Sequence, residues 1–437
     1  MYKIILNIIW ALVTALIILV GIYFTKSLGF IQFKFRDIFS SFKRDDNSSV
    51  SVFEALSLSL GAKIGIGSLS GIALAIYLGG AGTIFWVWVI SLLSASICFA
   101  ESVLGSVYKE KTLDSYRGGA SYYIKKGLNM KKISIIYAIF IILAYIGGFL
   151  PIQVNTMIKS VKYTINFKEI ALLLIIIFLY IIIIFGRKNK LYKFISFFVP
   201  IMGIFYIGIG LIIIIKNFNN VESIFEIIMG SAFNFRSILS GFFYTMIVGI
   251  QRGIFSNEAG VGTSAISSGI SSSNPIKQGF AQMSGVYITS LIVCTITAFI
   301  ILLSPYQDLD FNNFNGIELT SYAFNYHFGT IGKYLLMIVT LLFAFSTVIS
   351  GYYFGESSLL YIFPNIKKKG IFVFKLGSIF FLILGYISSA NFIWNSVDLV
   401  IGLLSVINIS SVYLLRNDVL LEYKYYKNKK LLTYKKS

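Results

Sequence analysis

Apolar runs of about 20 residues recur along this 437-residue chain, and they leave few architectures open. In hydrocarbon every backbone N–H and C=O must be satisfied within the protein, so such runs fold as membrane-crossing helices. Eleven can be placed, at roughly 4–24, 53–79, 83–107, 133–158, 169–186, 191–215, 237–260, 278–303, 331–362, 371–389 and 393–415. Charged residues make up 13% of the chain, about half the share of a soluble domain, and mean hydropathy is +0.82. The expectation is an all-α polytopic membrane protein in the cell membrane, with the lipid bilayer as its first partner. The opening run is longer than a signal-peptide core and no small-x-small cleavage pattern follows, so it reads as a retained span.

The net charge of +19 does not point to nucleic acid, because basic residues gather in alternate short loops. Segments 25–50, 108–132, 187–193, 364–370 and 416–437 are rich in Lys and Arg, whereas 304–330 holds Asp308, Asp310 and Glu318 with neither. This places the N-terminus outside and the C-terminus in the cytoplasm; the three lysines of 159–168 dissent. Residues 31–46, mixing aromatic and basic residues, read as an amphipathic helix in the interface. Cys98 and Cys294 lie inside apolar runs and read as small core residues rather than a disulfide.

With the first run set aside, ten spans remain, and the first and sixth each carry a polar, glycine-containing interruption. These are "GAKIGIGSLSG" at 61–71 and "GIQRGIFSNEAGVG" at 249–262, with the helix breaks themselves expected near Gly65–Gly67 and within about 241–253. Interruptions at matching places in two five-span halves point to an inverted repeat with the cargo between broken helices. The divisions expected are 1–50 (extra helix and interfacial segment), 51–215 and 216–415 (the two repeats) and 416–437 (a basic cytoplasmic tail). An unwound helix at mid-membrane offers free N–H groups and a positive half-helix end to a carboxylate, and free carbonyls to a cation. An amino-acid zwitterion carried with a cation suits both. Gly61 with Gly65, and Gly67 with Gly71, also form two GxxxG pairs that suit close helix packing. Lys63, costing about 2.5–3.5 kcal/mol at a span centre, must face a cavity or a partner. Glu54, Glu101, Glu258, Glu356 and Asp398 are the carboxylates in or near spans.

The stretch "GAKIGIGSLSGIALAIYLGGAGTIFWVWV" resembles the sodium:alanine/glycine symporter family, AGCS, of the amino-acid–polyamine–cation superfamily. So do "RGGASYYIKKGL" (117–128), "RGIFSNEAGVGTSA" (252–265), "LIVCTITAFIIL" (291–302) and "LFAFSTVISGYYFGE" (342–356). The resemblance implies a LeuT-like 5+5 inverted repeat with one extra N-terminal helix, eleven transmembrane helices in all. It implies sodium-coupled symport of a small neutral amino acid by alternating access, with Na+ as co-transported ion and no cofactor. Carried over by position, the substrate residues are Ile66, Gly67, Ser68, Gln153, Phe243, Ile247, Thr347 and Gly351. Sodium would take Ile64, Ser68, Ser346 and Thr347; Lys63 would carry the coupling charge, and Arg252 with Glu258 a gate.

Departures from the family pattern adjust these expectations. Members commonly read Gly-Thr-Gly-Asn or Gly-Ser-Gly-Asn where this chain has Gly65-Ile66-Gly67-Ser68, so the sodium site at Ser68 is expected to be weakened. Many carry Trp where Gly351 stands, which predicts a larger pocket here unless another side chain, such as Tyr352, refills it. The alternative reading is a proton-coupled or sodium-independent carrier of a larger neutral amino acid. Of other classes, a channel would want a selectivity ring. Intramembrane Ser–His proteases and zincins need histidines in the membrane, and His327, the single histidine, falls in a loop, so no enzyme is expected. Trp394, Asp398 and Glu101 read as architectural.

Overall fold

The computed structural model describes residues 2–43, 50–112, 116–186, 188–233, 238–306 and 316–434. Asp308 and Asp310, Arg187, and the end of the 31–46 segment lie outside the described residues. The regular structure of the described residues is helix apart from one two-residue hairpin, Glu110–Lys111 against Tyr116–Arg117. In order, the helices are α1 (Tyr2–Ser27), α2 (Phe35–Ser41), α3 (Val52–Lys63), α4 (Ile72–Gly79), α5 (Thr83–Val107), α6 (Ala120–Lys126) and α7 (Lys131–Ala144). Then come α8 (Leu150–Thr164), α9 (Glu169–Ile184), α10 (Lys188–Lys216), α11 (Val221–Ala232), α12 (Ile238–Asn257) and α13 (Thr263–Ser268). The last are α14 (Pro275–Val286), α15 (Thr295–Leu302), α16 (Ile317–Phe328), α17 (Thr330–Ile362), α18 (Lys368–Ile387), α19 (Ala390–Leu414) and α20 (Arg416–Tyr434). Wide π-turns at 145–149 and 287–294 join α7 to α8 and α14 to α15.

Among the described residues eight helices are long and apolar enough to cross a membrane, nine when the bent pair α3 and α4 is one span. The expected spans 169–186 and 237–260 fall short of that standard; the first is a 16-residue apolar helix. Helices also occur where loops were expected. The segment 304–330 contains α16, on which His327 meets the Ile300 carbonyl at 3.0 Å, and the basic tail continues as α20. The interfacial segment becomes the short α2, which buries Ile38 and leaves Phe35 and Phe39 exposed.

The first interruption is a break. A capping box starts α3, with the Glu54 amide donating to Ser51 Oγ at 3.1 Å and the Ser51 amide to Glu54 Oε2 at 2.8 Å, so Glu54 is a cap and not a partner for Lys63. The helix stops at Lys63, Ile64 leaves helical geometry (φ −84°, ψ 68°), and the chain resumes through a π-turn at 67–71, bent by 50°. The second break was expected within 241–253, and there the structure differs: α12 runs unbroken through Gly249 and Gly253. A side chain on Gly249 would strike the Thr83 carbonyl, and one on Gly253 would strike Ile90, so both let α12 lie close against α5. The break falls at 258–262, where Glu258, Gly260 and Gly262 take positive φ (52°, 85° and 100°) before α13 starts.

Around these two broken helices, α5 packs against α12, α13 and α14, and α17 against α3 and α8. Helix α1 lies outside this group, on α5 and α19.

Candidate functional site

The two breaks meet. Ser68, one turn past the first, shares a 3.0 Å hydrogen bond with Ser256 at the end of α12, and Ser256 lies 3.1 Å from Cys294 Sγ. Gly67 has no side chain because Phe255 sits where its Cβ would be, 2.9 Å away. The Ile66 amide, freed by the break, donates to Gln153 Oε1 of α8 at 3.4 Å, while Gln153 Nε2 finds no acceptor. Ile66, Gly67, Ser68 and Gln153 are thus brought together and fully buried.

Carbonyls at the end of α3 converge on α17. Ser346 and Thr347 donate to Gly61 O at 3.1 and 3.0 Å, and Thr347 reaches Ala62 O at 3.3 Å. Ile64 was expected to supply the carbonyl here, but those the two hydroxyls meet belong to Gly61 and Ala62, three and two residues earlier. Gly65 stands against Thr347 Oγ1, where a Cβ would collide with it. Hard oxygen atoms from two helices, with no charge among them, suit a small monovalent cation. Among the described residues no cluster of His, Cys, Asp and Glu could hold a metal ion.

Lys63 points the other way. Its ammonium is buried, donates to Ser264 Oγ of α13 at 2.9 Å and lies 3.8 Å from Cys98 Sγ. Two carboxylates, Glu101 and Glu258, stand within its electrostatic reach. Glu101 Oε2 accepts from Asn408 Nδ2 at 2.7 Å, and the same nitrogen donates to Gly260 O in the second break at 2.9 Å. Glu101 therefore braces the break and does not pair with a loop residue. Lys63 faces neither lipid nor an open cavity.

The expected pairing of Arg252 with Glu258 is not formed. Arg252 pairs with Asp398 of α19, both buried, and its guanidinium lies 5.1 Å from the Trp394 ring and 5.7 Å from that of Phe255. Glu258 accepts from Thr263 Oγ1 at 2.8 Å. Asp398 and Trp394, read as architectural, are thus the partners of Arg252. Phe255 also joins a column of rings, stacked on Phe149 at 4.9 Å and tilted against Trp394 at 4.7 Å, with Tyr145 stacked on Phe149 at 4.8 Å. On the α16 side of this column opens a cavity of about 410 Å³, whose lining includes Ser70, Asn155, Arg252, Trp394 and Asp398. The column and the ion pair separate it from the buried break residues.

A model of the sodium:alanine symporter family matches residues 1–437. The chain belongs to that family. Relatives at this distance include the amino-acid carrier protein AlsT of Bacillus subtilis (strain 168), 34% identical over 96% of this chain and 90% of its own. The probable sodium/glutamine symporter GlnT of the same organism is 33% identical over 97% and 90%, and the sodium/alanine symporter AgcS of Methanococcus maripaludis is 30% identical over 92% and 91%. The protein is a multi-pass membrane transporter of this symporter family.

Seen as a symporter, the chain places two expected residues elsewhere. Phe243 is half exposed and lies about 20 Å along α12 from Ser256; Phe255 is the aromatic residue of that helix at the break. Ile247 is partly buried and likewise distant from the break. Gly351 does not enlarge a pocket: Leu150 and Tyr145 lie 3.2 and 3.4 Å from where its Cβ would be. Tyr352, the expected replacement, packs instead against Tyr180. Phe255, Ser256, Ser264 and Asn408 were not singled out from sequence; the first three stand inside the quoted 252–265 motif, and Asn408 carries no local signal.

Proposed function

We propose that the protein is a secondary active transporter that carries a small neutral amino acid together with Na+ by alternating access. The observation that carries this reading is the meeting of two helix breaks, bridged by Ser68 and Ser256, with unpaired polar atoms at Gln153 Nε2 and Glu258 Oε1 nearby. The cargo's carboxylate takes the Ile66 amide, in place of its long 3.4 Å bond to Gln153 Oε1, and the neighbouring Gly67 amide; its ammonium takes the oxygen atoms around Ser68, Ser256 and Gln153. Na+ sits where the Gly61 and Ala62 carbonyls meet Ser346 and Thr347. Counting α9 and α12 as spans gives eleven, a LeuT-like arrangement of two five-helix repeats after α1. The loop charges put the N-terminus outside, which makes the α16 cavity the outer one and Arg252–Asp398 with Trp394 and Phe255 the outer gate.

Relatives named for alanine and for glutamine leave the side-chain size open, and the filled space beside Gly351 favours the smaller cargo. Proton coupling is the second reading, favoured by the buried Lys63 and Glu101. Uptake of radiolabelled alanine and glutamine into proteoliposomes, with Na+ and pH gradients imposed separately, tests both. Sodium-driven uptake is expected. Uptake that follows only the proton gradient moves coupling to Lys63, and no uptake of any amino acid overturns the reading.

A further inference from the structure

Two helices that the transport reading leaves unused, α2 and α20, meet beside the end of α5 remote from α4 and α16. Lys34, just before α2, donates to the Leu28 carbonyl at 2.8 Å and to the Tyr423 hydroxyl of α20. Its ammonium lies 4.9 Å from the centre of the Tyr423 ring, and that of Lys427 lies at the same distance. Tyr423 is buried, edge-on to Phe99 of α5 at 6.0 Å, and Tyr108 just past α5 donates to Asp418 Oδ2 at 2.7 Å. These contacts fasten α20 on α5 and α14, and α2 packs on α14. The outward sides of both helices carry large apolar groups. On α2, Phe35 and Phe39 stand one turn apart, and Phe39 is 74% exposed. On α20, Val419 and Tyr423 face the protein, while Leu421 and Tyr425, 64% and 66% exposed, form a ridge on the opposite side. At 3.6 residues per turn Lys424 and Lys429 fall on the two flanks of that ridge, and both are exposed. Segments 34–43 and 416–429 together hold seven basic residues and three acidic ones.

We infer that α2 and α20 together form a binding surface for the headgroups of anionic phospholipids. A helix whose apolar ridge is bordered by lysines lies in the plane of a membrane surface, with the ridge toward the acyl chains and the ammonium groups at phosphate level. The loop charges make this the cytoplasmic side, where anionic lipids concentrate. Charge complementarity selects the anionic headgroup, because a zwitterionic one brings its own ammonium into a field that is already positive. The geometry adds a local reason. Lys34 and Lys427 are held against one tyrosine ring and repel each other, and a phosphate that reaches both relieves that repulsion. Because α20 is also tied to α5 at Tyr108 and Phe99, a headgroup bound here steadies the α5–α14 end of the bundle. Neither sodium nor an amino acid takes part, so the inference stands apart from the identity of the cargo.

The test is the melting temperature of the full-length protein in a neutral detergent, with phosphatidylglycerol, phosphatidylcholine or inorganic phosphate added in turn. Phosphatidylglycerol should raise it by at least about 2 °C, and the other two should not. The readout is the lipid-induced shift in each variant, so a change in basal stability does not obscure it. Lys424→Gln with Lys427→Gln should at least halve the shift. Phe35→Ser with Phe39→Ser keeps every charge, removes the apolar anchor and should halve it too. Lys131→Gln with Lys132→Gln is the control: it removes two exposed charges at the start of α7, away from α2 and α20, and should keep the full shift. An undiminished shift in both the lysine and the phenylalanine variants of α20 and α2 overturns the surface. An equal loss in the α7 control also overturns it, since net charge alone would then explain the effect. A shift produced equally by phosphatidylcholine overturns the headgroup selectivity, and one produced by inorganic phosphate replaces the lipid with a free anion.

Discussion

Thr347→Val tests the cation site with the least disturbance of packing. Valine keeps the shape of threonine and removes Oγ1, the atom that meets Gly61 O at 3.0 Å, Ala62 O at 3.3 Å and Phe343 O at 3.1 Å. The Ser346 hydroxyl stays within reach of Gly61 O at 3.1 Å and Phe343 O at 2.8 Å and can give its one proton to either. The Ala62 carbonyl, at the end of the half-helix, loses its hydroxyl. The folding cost is therefore about 1–2 kcal/mol, one weakened acceptor and no newly buried charge. The loss to sodium is larger in effect, because one of a handful of oxygen ligands disappears and no water-sized gap opens to replace it. Losing about 1.4–2.8 kcal/mol of ion affinity raises half-stimulating sodium by about 10- to 100-fold.

The assay is initial-rate uptake of labelled alanine into proteoliposomes across a sodium titration at fixed membrane potential. Thr340→Val is the matched control: it stands on the same helix, is buried, and its hydroxyl has no partner, so its removal should leave sodium dependence unchanged. Gly65→Ala should reproduce the Thr347→Val shift, since the added methyl collides with Oγ1 and pushes it from the carbonyls. Equal half-stimulation in wild type and Thr347→Val, with Thr347→Val folded and active, would refute the placement of sodium at this junction.

Two further outcomes are expected. Asp398→Asn leaves the Arg252 guanidinium buried without its counter-charge and should cost about 3–5 kcal/mol, read as a drop in detergent melting temperature; Arg252→Met with Asp398→Leu should recover most of the stability but not regulated uptake. Lys63→Met removes the hydrogen bond to Ser264 and the cation near Glu101 and should lower stability, by less than the loss of the Arg252–Asp398 pair, and Glu101→Gln should restore part of it. If that double variant retains sodium-driven uptake, Lys63 is structural; if it loses its response to a proton gradient that wild type shows, Lys63 belongs to coupling.

What was legible in the sequence follows the range of the forces involved. Helix positions follow from solvation of apolar runs, a local property, and the first break follows from a polar, glycine-rich interval that hydrocarbon will not accept. The second break was misplaced because glycines serve two purposes that look alike in sequence. Gly249 and Gly253 allow close approach of helices, while Gly260 and Gly262 allow a backbone conformation, and only the packing of α5 separates the two. Phe243 and Ile247 were taken from "GFFYTMIVGI", an apolar run with no charged residue by which to set the rotation of the helix. Arg252 and Asp398 are 146 residues apart, Lys63 and Ser264 201, and nothing local to either names the other. α16 and α20 were missed because a helix that does not span needs neither 20 apolar residues nor a span's hydropathy.

The two ends of the site are closed by different means, and the difference has a mechanical consequence. On the α16 side the barrier is made of side chains: an ion pair and a ring column that rotamer changes can move. On the other side, backbone meets backbone. A Cβ on Gly105 would strike Ala265 Cα at 2.7 Å, and one on Gly269 would strike the Gly118 amide nitrogen at the same distance, so α5, α13 and the 118–119 turn touch with no side chain between them. Contacts of this kind open as a unit, since packed surfaces are bistable rather than continuously deformable. Alternating access then requires α13 to leave α5, breaking the Lys63–Ser264 hydrogen bond in the same movement. Gly269→Ala adds one methyl to that seam, where the backbone of Gly269 is helical (φ −70°) and adopts alanine without strain. Overpacking costs the closed seam about 1–3 kcal/mol, which shifts the population toward the state open on this face by about 5- to 150-fold. Cys98, free, buried and beside Ser264, reports it. In a Cys294→Ser background, a membrane-impermeant maleimide should label Cys98 faster in Gly269→Ala than in wild type, by the same factor while opening remains the slow step. Labelling that is unchanged in a folded Gly269→Ala protein would mean that the seam does not open during transport, and that the path from the breaks leaves the protein elsewhere.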